Sequence, residues 1–150
     1  MKDIESLISK LSSTTKHEVF WLGAVDKEQI TKLESVLCFK LPEDFNFFLE
    51  KTGGGGVVEQ EISGVEDNNA LADFGGTVYY DTMHCRSEYS LPDNLAVIYF
   101  KDDEICWCLN TSPDSFGEVV SYDLFLRKVS QIMHRSFKGF FEEYVNLRCS

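Results

Sequence analysis

The sequence predicts a single α+β domain, and three observations lead there. At 150 residues and 43% hydrophobic, the chain can build one real core and is too short for two. Apolar residues recur with the 3.6-residue helical period through the first third and again near the end. Between these stretches, short apolar runs are split by turn residues, the pattern of strands joined by hairpins.

Ile4, Leu7, Ile8 and Leu11 stand at i, i+3, i+4, i+7. They predict an amphipathic helix packed at an edge, interrupted by Ser12-Ser13-Thr14-Thr15. Phe20-Trp21-Leu22-Gly23-Ala24 reads as an apolar plug with Trp21 largely buried. Asp26 is placed to cap a second helix, with Gln29 three residues on and Ile30, Leu33 and Leu37 facing inward.

The stretch LPEDFNFFLEKTGGGGVV, Leu41 to Val58, holds start, face and stop signals together. Pro42 suits the first helical position, and Glu43 and Asp44 meet the positive end of the helix dipole. Phe45, Phe48 and Leu49 make one apolar face, and Gly53 sits where a positive φ ends the helix. The first third is therefore expected to be helical throughout. Gly53–Gly56 close a helix and carry no lysine, whereas a phosphate loop opens one and ends in Gly-Lys-Ser/Thr.

Beyond the glycines the period becomes two. Val58, Gln60 and Ile62 are expected on one strand face, with Val57, Glu59 and Glu61 on the other. Gly64 turns the chain, and Glu66-Asp67-Asn68-Asn69 through Gly75-Gly76 is a polar loop. Thr77 to Tyr89 reads as a helix with Tyr79, Met83 and Arg86 on one face. His84 and Cys85 are neighbours, but adjacent helical side chains point about 100° apart and make no nucleophile–base pair.

Leu95 to Phe100 is apolar on both faces, as in a central strand. Lys101-Asp102-Asp103-Glu104 then links it as a hairpin to Ile105–Leu109. Cys106 and Cys108 share a strand face, read as small core residues because zinc sites use wider spacings and a second pair. Asn110 to Gly117 is a loop, and Val119 to Tyr122 another strand. Phe137, Phe140, Phe141, Tyr144 and Val145 predict a closing helix capped by Ser136.

The net charge of −11 is unevenly placed. Residues 1–56 carry −2, residues 57–123 carry −12, and residues 124–150 carry +3. So strong a negative field argues against nucleic acid as a partner and for a basic protein. No apolar run is long enough for a membrane span, and MKDIESLISK lacks the apolar core of a secretory signal. Cys38, Cys85, Cys106, Cys108 and Cys149 are odd in number, which fits reduced thiols and a cytoplasmic location. No cofactor and no metal are expected.

Three stretches together resemble the SUKH superfamily: Leu41-Pro42 through Phe48-Leu49 into the glycines, Leu91-Pro92 before the apolar strand, and Ser136-Phe137 with Phe140-Phe141. The resemblance implies one α+β domain with a central, largely antiparallel sheet flanked by helices. It also implies a non-catalytic immunity protein that neutralises a toxin, often a nuclease, encoded beside it. Asn110-Thr111 departs from the pattern, which has an acidic residue after this strand. On this reading the basic toxin is met by Glu59, Glu61, Glu66, Asp67, Asp102, Asp103 and Glu104. Two other classes stay open: a scaffold for other proteins, and a small hydrolase built on Glu59, Glu61 and His84, which needs one pocket joining all three.

Overall fold

The computed structural model describes residues 1–150. The chain runs α1 (Lys2–Ser12), β1 (Val19–Trp21), α2 (Lys27–Leu37), α3 (Glu43–Thr52), β2 (Gly55–Val57), α4 (Val78–Tyr89), β3 (Leu95–Lys101), β4 (Ile105–Asn110), β5 (Val119–Asp123), β6 (Lys128–His134) and α5 (Phe137–Cys149). β1 and β2 pair antiparallel, and β3-β4-β5-β6 form a second, four-stranded antiparallel sheet. The α+β class and the flanking helices are as the sequence predicts. No helix is long and apolar enough to cross a membrane.

Strand alternation divides the core in two. Ala96, Ile98, Leu109 and Val119 point to one face, where they join α1, α3 and α5 in the larger cluster. Val97, Cys106, Cys108, Val120 and Tyr122 point to the other, where they meet Cys85 of α4. The larger cluster is organised by rings from two helices. Phe48 of α3 lies 5.0 Å from Phe137 and 4.9 Å from Phe141 of α5, and Phe45 lies 4.9 Å from Phe137. Such pairs add to the area that each ring buries.

Helix α3 begins one residue later than expected. Pro42 is its cap residue, with ψ at 148°, and the left-handed Gly53 ends it. The first third is not helical throughout, because Val19–Trp21 pairs with β2. Trp21 is mostly buried, packed edge-on against Phe48 with its indole N–H donating to Ser12 Oγ at 2.9 Å, but Phe20 beside it is exposed. Asp26 precedes α2 but makes no side-chain cap, since its carboxylate accepts from Asn68 Nδ2 while Gln29 Oε1 accepts from Ala70 N–H. Helix α1 is amphipathic as expected, with Ile4 and Leu11 fully buried in the larger cluster and its other face exposed.

Three further differences come from long-range contacts. The strand expected through Ile62 stops at Val57, where Val58–Gln60 turn back so that Ile62 bonds Gly55 in both directions at 2.9 Å. Leu95–Lys101 is buried on both faces but lies at the sheet edge, and its free side is covered. Ser63 N–H donates to Ile98 C=O at 2.7 Å, and Thr82 of α4 accepts from Val97 N–H at 3.0 Å. Strand β6 was not expected; its first five residues are all exposed, so no buried face writes a period into the sequence.

Phe48→Ala and Phe140→Ala should each cost about 3–5 kcal/mol, since each empties a ring site in the larger cluster. Urea melts would measure this, and two unchanged midpoints would show that α3 and α5 do not hold the core together.

Candidate functional site

The Val58–Gln60 turn is held from three directions. Tyr144 of α5 accepts from Val57 N–H at 3.0 Å and donates to Gln60 C=O at 2.6 Å. Arg148 donates to Gln60 Oε1 at 2.9 Å, and Lys101 Nζ donates to the Glu59 carbonyl. Glu59 itself sits at φ 76°, left-handed, so the turn reverses the chain and its side chain leaves the sheet. The β3–β4 hairpin is equally defined. Asp102 and Asp103 have φ of 53° and 52°, and Glu104 N–H donates to Lys101 C=O at 2.9 Å, the geometry of a type I′ turn.

These two turns face each other across an open cleft of about 320 Å³, lined by Glu59, Glu61 and Asp102, with Ser63, Gly76 and Tyr99 among the other lining residues. Three carboxylates thus meet one ammonium, that of Lys101. The negative character is felt by the Tyr99 hydroxyl. Burial raises its pKa first, Arg148 opposes this, and Glu61 and Asp102 raise it further. Phe74, which precedes the Gly75-Gly76 rim, is 59% exposed.

The seven acids do not form one group. Glu59 and Glu61 belong to a turn and its return, not to one strand face, yet both reach the cleft with Asp102. Asp103 is turned away to accept from Tyr89 Oη at 2.7 Å and from His84 Nε2 at 3.3 Å. Tyr89 first and His84 second hold its carboxyl below the usual range. Glu104 is exposed and unpaired at the hairpin. Glu66 and Asp67 lie on a 3-10 turn whose Asn68 docks against Asp26, and neither lines the cleft.

His84 stacks on Tyr80 and binds Asp103, and it does not line the cleft that holds Glu59 and Glu61. The constellation a hydrolase needs is therefore not assembled. Cys85 points inward instead, 3.9 Å from Cys106, which is 3.7 Å from Cys108. The bond to Cys106 and then burial drive Cys85 well above the thiol range; the bond to Cys108 drives Cys106 up, the bond to Cys85 opposes this and burial adds to it, so neither is a thiolate nucleophile. No group of three His, Cys, Asp or Glu residues has a metal-holding arrangement.

Beneath the cleft lies a residue that sequence reasoning missed. Asp81 of α4 is 2% exposed; it accepts from Ser63 Oγ at 2.6 Å and from Gly76 N–H at 3.3 Å, so it ties two lining segments to one helix. The signal was present, since Val78, Asp81, Thr82 and Cys85 stand at i, i+3, i+4, i+7 and are all buried. Two polar members hid that face from a search for apolar periodicity.

Burial pushes the Asp81 carboxyl up from 3.8 to about 6, with Ser63 and Gly76 pulling the other way. The folded state thus holds this proton more tightly than the unfolded one. Stability from this group is fully present below about pH 4 and falls as pH rises to about 6. Asp81→Asn removes the charge and can keep both contacts, its amide oxygen accepting from Gly76 N–H and its NH2 donating to Ser63 Oγ in the reverse sense. Its stability should not fall across that window, and at neutral pH it should exceed the parent's by about 2–3 kcal/mol. Denaturant titrations at both ends of the window decide this, and parallel pH profiles for the two proteins would contradict it.

The SUKH_5 family model, SMI1-KNR4 cell-wall, matches residues 4–146. That span contains every strand, α2, α3 and α4 whole and most of α1 and α5, together with the cleft and the carboxylate beneath it. The chain therefore belongs to the SUKH_5, SMI1-KNR4, family of the SUKH superfamily.

Proposed function

We propose that this protein is an immunity protein, an antitoxin that captures a basic toxin, in particular a nuclease domain, by laying the acidic cleft over it. The observation that carries the reading is the convergence of Glu59, Glu61 and Asp102, from two turns 40 residues apart in sequence, on one open cleft. Family membership supports it, since the superfamily includes immunity proteins and is generally non-catalytic. In length and wording the chain also resembles YobK, a Bacillus antitoxin of that superfamily.

The physics suits the task. An antidote must find its toxin quickly and release it slowly. Opposite fields raise association to about 10⁸ M⁻¹s⁻¹ at low salt, and slow release needs buried anchors. Phe74 is an exposed ring next to the cleft rim and fits the anchor's part. Rigid turns help as well, because their backbones lose little freedom on binding.

Reversing Glu59, Glu61 and Asp102 to lysine should slow association with the toxin encoded beside this gene by at least about tenfold at low salt and flatten its salt dependence. The melt should move by about 1 kcal/mol at most, because the positions are on the surface and the main added strain is lysine in place of aspartate at the left-handed Asp102. Glu104→Lys, outside the cleft, should do much less. Stopped-flow binding and a cell-protection assay would check both variants. Equal rates and full protection by the triple variant would end the cleft reading.

A further inference from the structure

The opposite side of the sheet carries a surface of different chemistry. Strand β6 pairs only with β5, and no backbone bond outside that pairing involves residues 128–134. Tyr122 pairs with Val129 and Val120 with Ile132, and the bulge at Ser130 puts Val129 and Ile132 on the same face. It is the face that carries Val120 and Tyr122 in the cluster beneath α4. Where α4 stops, that face continues uncovered: Val129 is 42% exposed and Ile132 60% exposed. Phe125 and Leu126, at the β5–β6 turn, are 92% and 66% exposed.

The charge around this strip reverses the charge of the molecule. Residues 124–135 hold Arg127, Lys128 and Arg135 and no acid, in a chain whose net charge is −11. All three are exposed, and none makes an ion pair. Arg127 donates to Ser90 at the end of α4, so its guanidinium lies on the uncovered side. Of the neighbouring acids, Asp123 is occupied in capping Phe125 and Leu126 N–H, and Glu118 and Asp114 lie near Ile132 and Arg135 at the other end.

We propose that this face docks an acidic amphipathic helix of another protein, which lies along β6 beside α4 and extends its layer. Apolar residues of that helix cover Val129, Ile132 and Phe125, and its carboxylates meet Arg127 and Arg135, while Lys128, opposite Asp123 on the other face of the strand, adds only to the local field. A sheet face is normally sealed by a helix layer, and one helix already seals its neighbours. Strand addition fits less well, because two bulges interrupt the edge. Self-pairing about Gln131 would set Arg127 against Arg135, like charges directly opposed. A membrane fits less well again. Anionic lipid repels a chain whose net charge is −11.

The test is selection from a displayed library of 15-residue helical peptides with randomised polar faces, against the whole protein. The overall field of this chain favours basic peptides, so the expected outcome runs against it. Binders should be enriched in Asp and Glu beside an i, i+3, i+4 apolar stripe. Titration of a synthesised winner should shift the NMR amide signals of residues 125–135. Arg127→Glu with Arg135→Glu should weaken that winner at least tenfold, and Ile132→Asp should abolish binding, both with unchanged melts. Basic binders, no binders, or shifts mapped elsewhere would overturn the proposal. So would a dimer in sedimentation that Ile132→Asp dissolves, or cosedimentation with phosphatidylserine vesicles that Phe125→Ser abolishes.

Discussion

The contact on which the fold most depends is backbone against backbone. Gly53 to Gly56 run from the end of α3 into β2, all at positive φ, where other segments press on them. A Cβ on Gly54 would stand 2.5 Å from Gly64 Cα, and one on Gly53 would stand 1.9 Å from Gly23 C=O. Leu22 N–H donates to Gly54 C=O, and Val65 N–H donates to Gly53 C=O at 2.8 Å. The run is therefore neither a flexible loop nor an anion cradle. It is a junction that brings β1, β2 and the Ile62–Val65 return together, and any side chain there would push them apart.

From that junction the site follows. Because Ile62 returns against Gly55, the next residue, Ser63, meets the free edge of β3 and also the Asp81 carboxylate. The same carboxylate receives Gly76 N–H, so the loop from Glu66 to Gly76 is closed onto the helix it precedes. One buried polar group thus ties a strand edge, a loop end and a helix into the floor of the cleft. A buried carboxylate that is fully hydrogen-bonded but raised in pKa opposes folding at neutral pH, which is tolerated when it fixes an arrangement that apolar packing would leave loose.

The acidic surface has a similar logic. Asp102 and Asp103 occupy left-handed positions that glycine would fill with less strain, and the short polar side chain of aspartate is among the few that tolerate them. The turn then divides its two acids. Asp103 is tied to Tyr89 and His84 and anchors the hairpin to α4, while Asp102 is left free at the cleft. The electrostatic surface and the structure that orients it are built from adjacent residues. Across the sheet, β6 and its cations form a second face with the opposite sign.

Much of this was legible in the residues themselves. Helices α1, α2, α3 and α5, the stop at Gly53, the acidic hairpin and the buried Cys106 and Cys108 all depend on period, caps and turn chemistry within a few residues. What only the tertiary structure decided depends on partners far away in the chain. Val58–Gln60 turns because Tyr144 and Arg148 hold it, 84 to 88 residues on. Leu95–Lys101 reads as central but sits at an edge, because a helix and a loop cover it as a neighbouring strand would. Strand β6 left no period because one strand neighbour alone defines it, and Asp81 was invisible because its burial is matched by hydrogen bonds instead of hydrophobicity. The sequence likewise named Glu59, Glu61 and Asp102 as acids, but only the folding of two separate turns across one cleft made them neighbours.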